Sequence, residues 1–434
     1  MNLIWNYISF LIHCINFLVV AVSEKNNTFN SNHEGQKLFK VYMNSEKDVQ
    51  ALKRIEEKCQ DCIIQWTDYF AQNTKVILHV KEDSVNEVRD DLLKHNLTHE
   101  MLKDSYLDVV KKERNPLRSP QHDEFGYNYA KHNGFGAIRS LLIGLTNKYK
   151  RISRLEIVEC TIEIRPIYAV HISNDWSNTK PIIMIECGIH AREWASVEAC
   201  IYFISVLLKQ KTENIKRIMD QYDFVILPLL NPDGYVYSMS KSRFWRKNRH
   251  CDKQYEMCDL NCVGIDLNRN FDINFCEDQS PQCAATYCGS KPFSEKETQA
   301  VRNILKRLQK RLFAFFDIHS YGAMWMFPYA KSMEIPRNYE EMKRLSEIAV
   351  EAIKKVNGSE YRVGPAARVV YTASGSSMDY AFDVINVKYA FAIELREANI
   401  NPLGFIMHEE EIQPLLEETW TGLEACILAM NPYK

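Results

Sequence analysis

The chain is 434 residues long and 46% hydrophobic, with thirteen cysteines and a formal net charge of −2. It holds enough apolar residues for a sizeable core, and its ordinary glycine, proline and charge content excludes disorder, collagen and coiled coil. The near-neutral balance argues against a nucleic-acid partner, which would demand a clear basic excess.

Leu3 to Val22 form the first feature, an almost wholly apolar run that then meets Ser23, Glu24, Lys25 and Asn26. Ala21 and Ser23 place small residues where a signal peptidase reads, so residues 1–23 are expected to be a signal peptide. An anchor helix is the competing reading, and His13 and Asn16 inside a barely sufficient span count against it. The expectation is a secreted, extracellular protein with no membrane partner. Cys14 leaves with the signal, and the remaining twelve cysteines enter a route where disulfides form. The sequons at Asn26, Asn96 and Asn357 fit that route.

After a polar stretch, KLFKVYM from Lys37 alternates like a strand. A helix follows, with Ser45 as N-cap and Asp48 in the capping-box position. KVILHV (75–80) reads as a second strand, and a helix with Val85, Val88, Leu92 and Leu93 on one face follows. SYLDVV is expected to be a third strand, completing a small α+β domain. Residues 111–126 hold two prolines, several basic residues and no apolar periodicity, so they read as an exposed linker. Arg114 and Arg118 are candidate sites there for a trypsin-like protease.

From Tyr127 onward no comparable break occurs. The runs 181–189, 223–234, 311–320 and 388–395 read as buried strands between helical patterns, which predicts one α/β domain around a mostly buried sheet. His190 and Glu193 lie three apart just past the first of these strands. A histidine and a carboxylate at that spacing suit zinc, which takes nitrogen and oxygen ligands in catalytic sites. His408 and Glu411 repeat the spacing, but there the acidic run reads as a solvated first helical turn. His319, ending another strand, is the candidate third ligand, and Asp266 could hold a ligand histidine's other nitrogen. Arg246, Asn268, Arg269, Tyr371 and Glu394 stand in segments of unusual polar density.

The ordered motifs HAREW (190–194), WRK (245–247), GIDLNRNF (264–271), DIHSY (317–321), YTASGSSMD (371–379) and ELR (394–396) resemble the zinc metallocarboxypeptidases of the pancreatic A/B type. The resemblance spans essentially the whole chain. It implies a signal peptide (1–23), an activation domain with its linker (24–118) and a catalytic domain (119–434) built on a mixed twisted sheet flanked by helices. It further implies one zinc ion bound by His190, Glu193 and His319, with Asp266 behind His190. Asn268 and Arg269 would grip the free C-terminal carboxylate of a peptide or protein substrate, Tyr371 would close over it, Arg192 would line the preceding subsite, and Tyr321 would also bind substrate. Arg246 would stabilise the oxyanion, and Glu394 would serve as general base and then general acid.

Met378 occupies the position that separates specificity classes in the family. An apolar residue there, with Ala330, Ala366, Val370, Ala373 and Ala392 placed around it by the same comparison, implies a preference for apolar or aromatic C-terminal side chains. Arg368, two residues before Val370, leaves a broader or acidic preference open, and a secreted binding homologue without turnover is the alternative from another class. Activation would follow cleavage near Arg118, and a monomer is expected. The resemblance also implies the bridges Cys187–Cys200, Cys262–Cys283 and Cys276–Cys288. Cys251 with Cys258, Cys160, Cys426 and the Cys59-x-x-Cys62 pair stay open.

Overall fold

The computed structural model describes residues 35–431, apart from 60–61, 66–73, 104, 115–121, 178, 252–261 and 400–402. The signal peptide, the sequon at Asn26, Arg118 and Cys258 lie outside the described residues.

The amino-terminal part is a four-stranded antiparallel sheet in the order β2-β3-β1-β4, formed by β1 (Lys37–Met43), β2 (Ile63–Gln65), β3 (Thr74–Val80) and β4 (His99–Met101). Two helices cross it, α1 (Glu46–Lys58) and α2 (Val85–Lys94). Ser45 caps α1 in a full capping box with Asp48, which satisfies amide donors at the helix start. Their apolar faces close a small core of Phe39, Val41, Leu52, Ile55, Leu78, Val88 and Leu92. Cys59 and Cys62 are joined by a local disulfide at the end of α1.

One element departs from expectation. Tyr106–Arg114, expected as a strand running into an exposed linker, is a helix, α3. Its Tyr106, Val109 and Val110 recur at helical spacing and pack with Leu38 and Ile77 of the small sheet against Phe244, Phe405 and Ile406 of the large part. In so short an apolar run, strand and helix periods are hard to tell apart, and the packing partner decides.

The large part carries an eight-stranded mixed sheet in the order β11-β10-β12-β9-β7-β8-β6-β5. Its strands are β5 (Ser153–Cys160), β6 (Pro166–Ile172), β7 (Ile182–Cys187), β8 (Asp223–Leu227), β9 (Leu312–Ser320), β10 (Met324–Phe327), β11 (Arg362–Pro365) and β12 (Tyr389–Leu395). The central strands β12, β9, β7 and β8 run parallel. Helices α4 (Phe135–Lys148), α5 (Trp194–Lys209), α6 (Glu213–Gln221), α7 (Pro232–Ser240), α8 (Lys296–Leu308), α9 (Tyr339–Asn357) and α10 (Glu409–Ala429) flank it. Every residue of β7 and β9 is buried, which is why both read as continuous apolar runs rather than alternations. The polar exceptions in these two strands, Glu186, Asp317, His319 and Ser320, sit toward their carboxyl ends, where α/β sheets place their sites.

Candidate metal centre and active site

His190 and Glu193 lie on the turn between β7 and α5, and Gly188 at φ +66° directs the chain into it. A Cβ at Gly188 would approach Val197 Cγ2 to 2.8 Å, so the turn needs both the conformation and the space. His319 comes from β9. Donor atoms of His190, Glu193 and His319 lie within 4.8 Å of one another, and all three residues are buried. His190 Nδ1 faces Glu193 Oε1 at 2.7 Å, and His319 Nδ1 faces Glu193 Oε2 at 3.0 Å. Two imidazoles and one carboxylate converging from a closed pocket form the donor set zinc takes with an open fourth position. The residues therefore fit the ion. Burial pushes the Glu193 carboxyl up, but the two imidazoles overcome it and hold the group well below the carboxylate range.

His190 Nε2 meets Asp266 Oδ1 at 3.2 Å. Arg246 reaches Asp266 Oδ2 through Nε at 3.0 Å and a terminal nitrogen at 2.8 Å. Burial would raise Asp266, yet Arg246 and His190 hold it well below its ordinary value. Asp266 is thus an ionised hinge between a metal histidine and a guanidinium that lines the pocket.

The lining of the pocket beside this centre includes the polar Asn268, Arg269 and Tyr371 and the apolar Met326, Ala330, Ala366, Val370, Ala373, Met378 and Ala392. Arg269 donates to the Tyr371 hydroxyl at 2.9 Å. Gly375 permits this arrangement: its φ is +68°, and a Cβ there would lie 2.2 Å from the Arg269 carbonyl oxygen. Glu394 lines the same pocket and stands beside His319 in the parallel β12–β9 register. Arg192 is buried, its guanidinium over the Phe405 ring at 4.5 Å, and Tyr321 packs edge-on to that ring. Arg368 is exposed, donates to the Met333 carbonyl and is absent from the lining.

Three bridges brace the surrounding loops: Cys187–Cys200, Cys262–Cys283 and Cys276–Cys288. Cys251 is also disulfide-bonded, whereas Cys160 and Cys426 are thiols. The second His-x-x-Glu pair does not join the metal group. Glu411 is buried rather than solvated, accepting from Arg396 at 2.8 Å, while His408 stands at the N-cap position of α10 without a side-chain capping bond.

Two polar residues of the site escaped the sequence reading. Asp317 sits two before His319, hence on the same strand face, with Oδ2 at 2.7 Å from His319 Nε2. That period of two was the available signal. Glu186 stands opposite Asp317 in the β7–β9 register and is fully buried. Desolvation first, and the Asp317 charge second, push its carboxyl well above the usual range. The small sheet and α3 also contribute: Glu113 of α3 forms a bidentate pair with Arg243, at 2.6 and 2.8 Å, both side chains fully buried.

Comparison with known proteins places these parts. Residues 138–422 match the zinc carboxypeptidase family, and residues 39–109 match the carboxypeptidase activation peptide. Rat carboxypeptidase B is 32% identical over 404 residues, covering 90% of this chain and 92% of the relative. Rat mast cell carboxypeptidase A is 32% identical with 90% and 93% covered, and bovine carboxypeptidase O is 36% identical with 68% and 77% covered. Among solved structures, thrombin activatable fibrinolysis inhibitor superposes with a TM-score of 0.80 at 28% identity over 91% of this chain and 98% of the other. Carboxypeptidase A of Helicoverpa armigera superposes with a TM-score of 0.83 at 26% identity over 92% and 98%.

Proposed function

The chain belongs to the zinc carboxypeptidases and carries their activation peptide, so it is a zymogen, and we propose that the activated enzyme removes apolar or aromatic residues from peptide C-termini. The observation that carries this specificity is that four alanines, Val370 and two methionines line the pocket, and that its charged residues, Arg246, Arg269, Asp317 and Glu394, are those given other roles here. Burying an apolar side chain there contributes about 1.5–3 kcal/mol, whereas an unpaired charge would lose its hydration. Met378 is flexible and adapts to several shapes, which supports breadth within the apolar class.

His190, Glu193 and His319 would hold the zinc. When bound, the ion supplies Lewis acidity to the scissile carbonyl and the attacking water. Arg269 and Asn268 recognise the terminal carboxylate; a guanidinium fork matches its two oxygens, which explains action at chain ends. Tyr371, already bonded to Arg269, closes over that end. Arg246, oriented by Asp266, faces the charge that develops on the carbonyl oxygen. Glu394 takes the proton from water and returns it to the leaving amine. Arg192 and Tyr321 line the subsite before the scissile bond.

The reading also assigns residues 1–23 to a signal peptide, 24–118 to the propeptide and 119–434 to a secreted, monomeric catalytic domain. A trypsin-like protease would cut near Arg118. The contact of α3 with Phe405, which lines the pocket, supports inhibition by the attached propeptide. The test is to treat the purified zymogen with trypsin and assay blocked dipeptides ending in Phe, Leu, Arg or Glu. Release of Phe and Leu is expected. Release of Arg alone sinks the pocket argument, and no release from a zinc-loaded enzyme sinks the activity. Glu394→Gln should abolish nearly all turnover while zinc stays bound; retained turnover would remove Glu394 from the proton path.

A further inference from the structure

Both imidazoles of the metal group have the same architecture, and one half of it is unassigned. Each turns Nδ1 to Glu193 and Nε2 to a buried carboxylate. For His190 that carboxylate is Asp266; for His319 it is Asp317. Asp317 Oδ2 accepts from His319 Nε2 at 2.7 Å, from Ser377 Oγ at 2.8 Å and from Asn268 Nδ2 at 3.2 Å. The Ser377 backbone amide donates in turn to Asn268 Oδ1 at 2.8 Å, closing a ring of contacts. Glu186 stands opposite Asp317 on β7, and the Ser377 hydroxyl acts on its carboxyl as well as on Asp317.

We propose that Asp317 is a positioning residue with two clients: it fixes the His319 ring for zinc and aims the Asn268 amide at the substrate's terminal carboxylate. A ring that binds metal through Nδ1 must carry its proton on Nε2 and needs an acceptor there. Asp317 supplies it. Asn268 also approaches His319 Nε2, at 3.1 Å, but a protonated Nε2 accepts nothing, so the amide donates to Asp317 instead. One amide hydrogen is thereby pinned, which sets the direction in which the other leaves. Metal binding and carboxylate recognition share a single buried oxygen. The second client rests on the reading of Asn268 given above; the first does not.

The experiment uses the full-length zymogen. Zinc affinity is measured by competition with a chelator of known affinity for wild type, Asp317→Asn, Asp317→Ala and Ser377→Ala. Outer partners of metal histidines are worth about 10–100-fold in metal affinity. Asp317→Ala should fall in that range and Asp317→Asn, which keeps an acceptor but loses the charge, near its lower end. Ser377→Ala leaves the carboxylate in place and should lose a few-fold; it keeps the test open if both Asp317 variants misfold. Zinc affinity within twofold of wild type in all folded variants overturns the proposal.

The second readout is KM against kcat for a blocked dipeptide ending in Phe, taken on trypsin-activated protein saturated with zinc. A rise in KM exceeding the fall in kcat is expected for Asp317→Asn. An unchanged KM overturns the Asn268 half. An inactive wild type would count against the proposed activity and leave the zinc comparison standing as a test of the first half.

Discussion

Arg243 and Arg246 are three residues apart in one segment, and each is buried against a carboxylate gripped through two nitrogens. Their carboxylates differ in where they come from. Asp266 belongs to the large part and stays for the life of the enzyme. Glu113 sits on α3, on the amino-terminal side of the proposed cleavage site, and would leave with the propeptide. Arg243 also donates to the carbonyls of Arg192 and Phe405 and lies 3.6 Å over the Trp194 ring, so it is held in place whether or not Glu113 is there. With cleavage at the proposed site, the same local chemistry would give a permanent support in one case and a detachable latch in the other. Buried ion pairs return little net stability but cost much when one partner is removed. A latch built from one is tight while closed and depends on a single glutamate.

The largest expected effect is on Arg246. Arg246→Ala takes from buried Asp266 its guanidinium partner, leaving only His190 and the Asn268 amide, and would remove the donor proposed for the developing oxyanion. Activated enzyme should lose about 10²–10³-fold in kcat, the usual cost of one such donor. A loss below tenfold, measured at saturating zinc, would make Arg246 a structural partner only. Next is Glu113→Ala, which strands the Arg243 charge. Uncleaved zymogen should lose about 3–5 kcal/mol in urea unfolding. The cleaved enzyme provides the control, because the proposed cleavage near Arg118 would remove residue 113 and leave the same catalytic chain as wild type. A zymogen within 1 kcal/mol of wild type would show that α3 docks through its apolar residues alone.

This contrast was half legible in the sequence. Arg246 stood in a polar cluster, and the resemblance gave it a role. Asp266 was assigned for its chemistry as a partner to a ligand histidine. Glu113 was hidden in a stretch that reads as linker because its neighbours are lysines, an arginine and a proline. Nothing local says that Tyr106, Val109 and Val110 face Phe405, some 300 positions away in the chain. Long-range burial turned that stretch into a helix, and no period-counting over six residues could anticipate it. The buried strands were visible because β7 and β9 are apolar until their carboxyl ends, whereas β5, β6, β10 and β11, with shorter or mixed patterns, were not read. Glu411 shows the opposite error. An acidic first turn usually faces water, but Arg396 pulls this carboxylate inward.

The latch has a pH-sensitive neighbour. The His132 side chain is 5% exposed, its Nε2 is 3.8 Å from Glu113, and its ring meets Trp194 edge-on. Burial drives its pKa from 6.5 down to about 4, and Arg243 adds to the effect while Glu113 opposes it. A histidine depressed in the folded chain stays neutral while the unfolded chain takes up a proton. Its contribution to stability is complete above pH 6.5 and is lost as pH falls from 6.5 toward 4. The span corresponds to roughly 3 kcal/mol. Zymogen carrying His132→Phe should lose less urea stability than wild type between pH 7 and pH 4.5. Parallel declines would exclude His132 as the sensor.

The smallest effect is expected where the small sheet touches the large part through water-exposed charge. Lys75 and Glu397 pair at 2.7 Å, with side chains 27% and 24% exposed. Solvent competes for both ends and salt screens them, so such a pair is worth about 0–1 kcal/mol. Removing it also strands no buried charge, unlike Glu113→Ala, because both groups can hydrate in place. Lys75→Ala should therefore shift zymogen stability by less than 1 kcal/mol, and less again in high salt. A loss as large as that of Glu113→Ala would mean that total charge across the interface, rather than burial of one pair, holds the propeptide down.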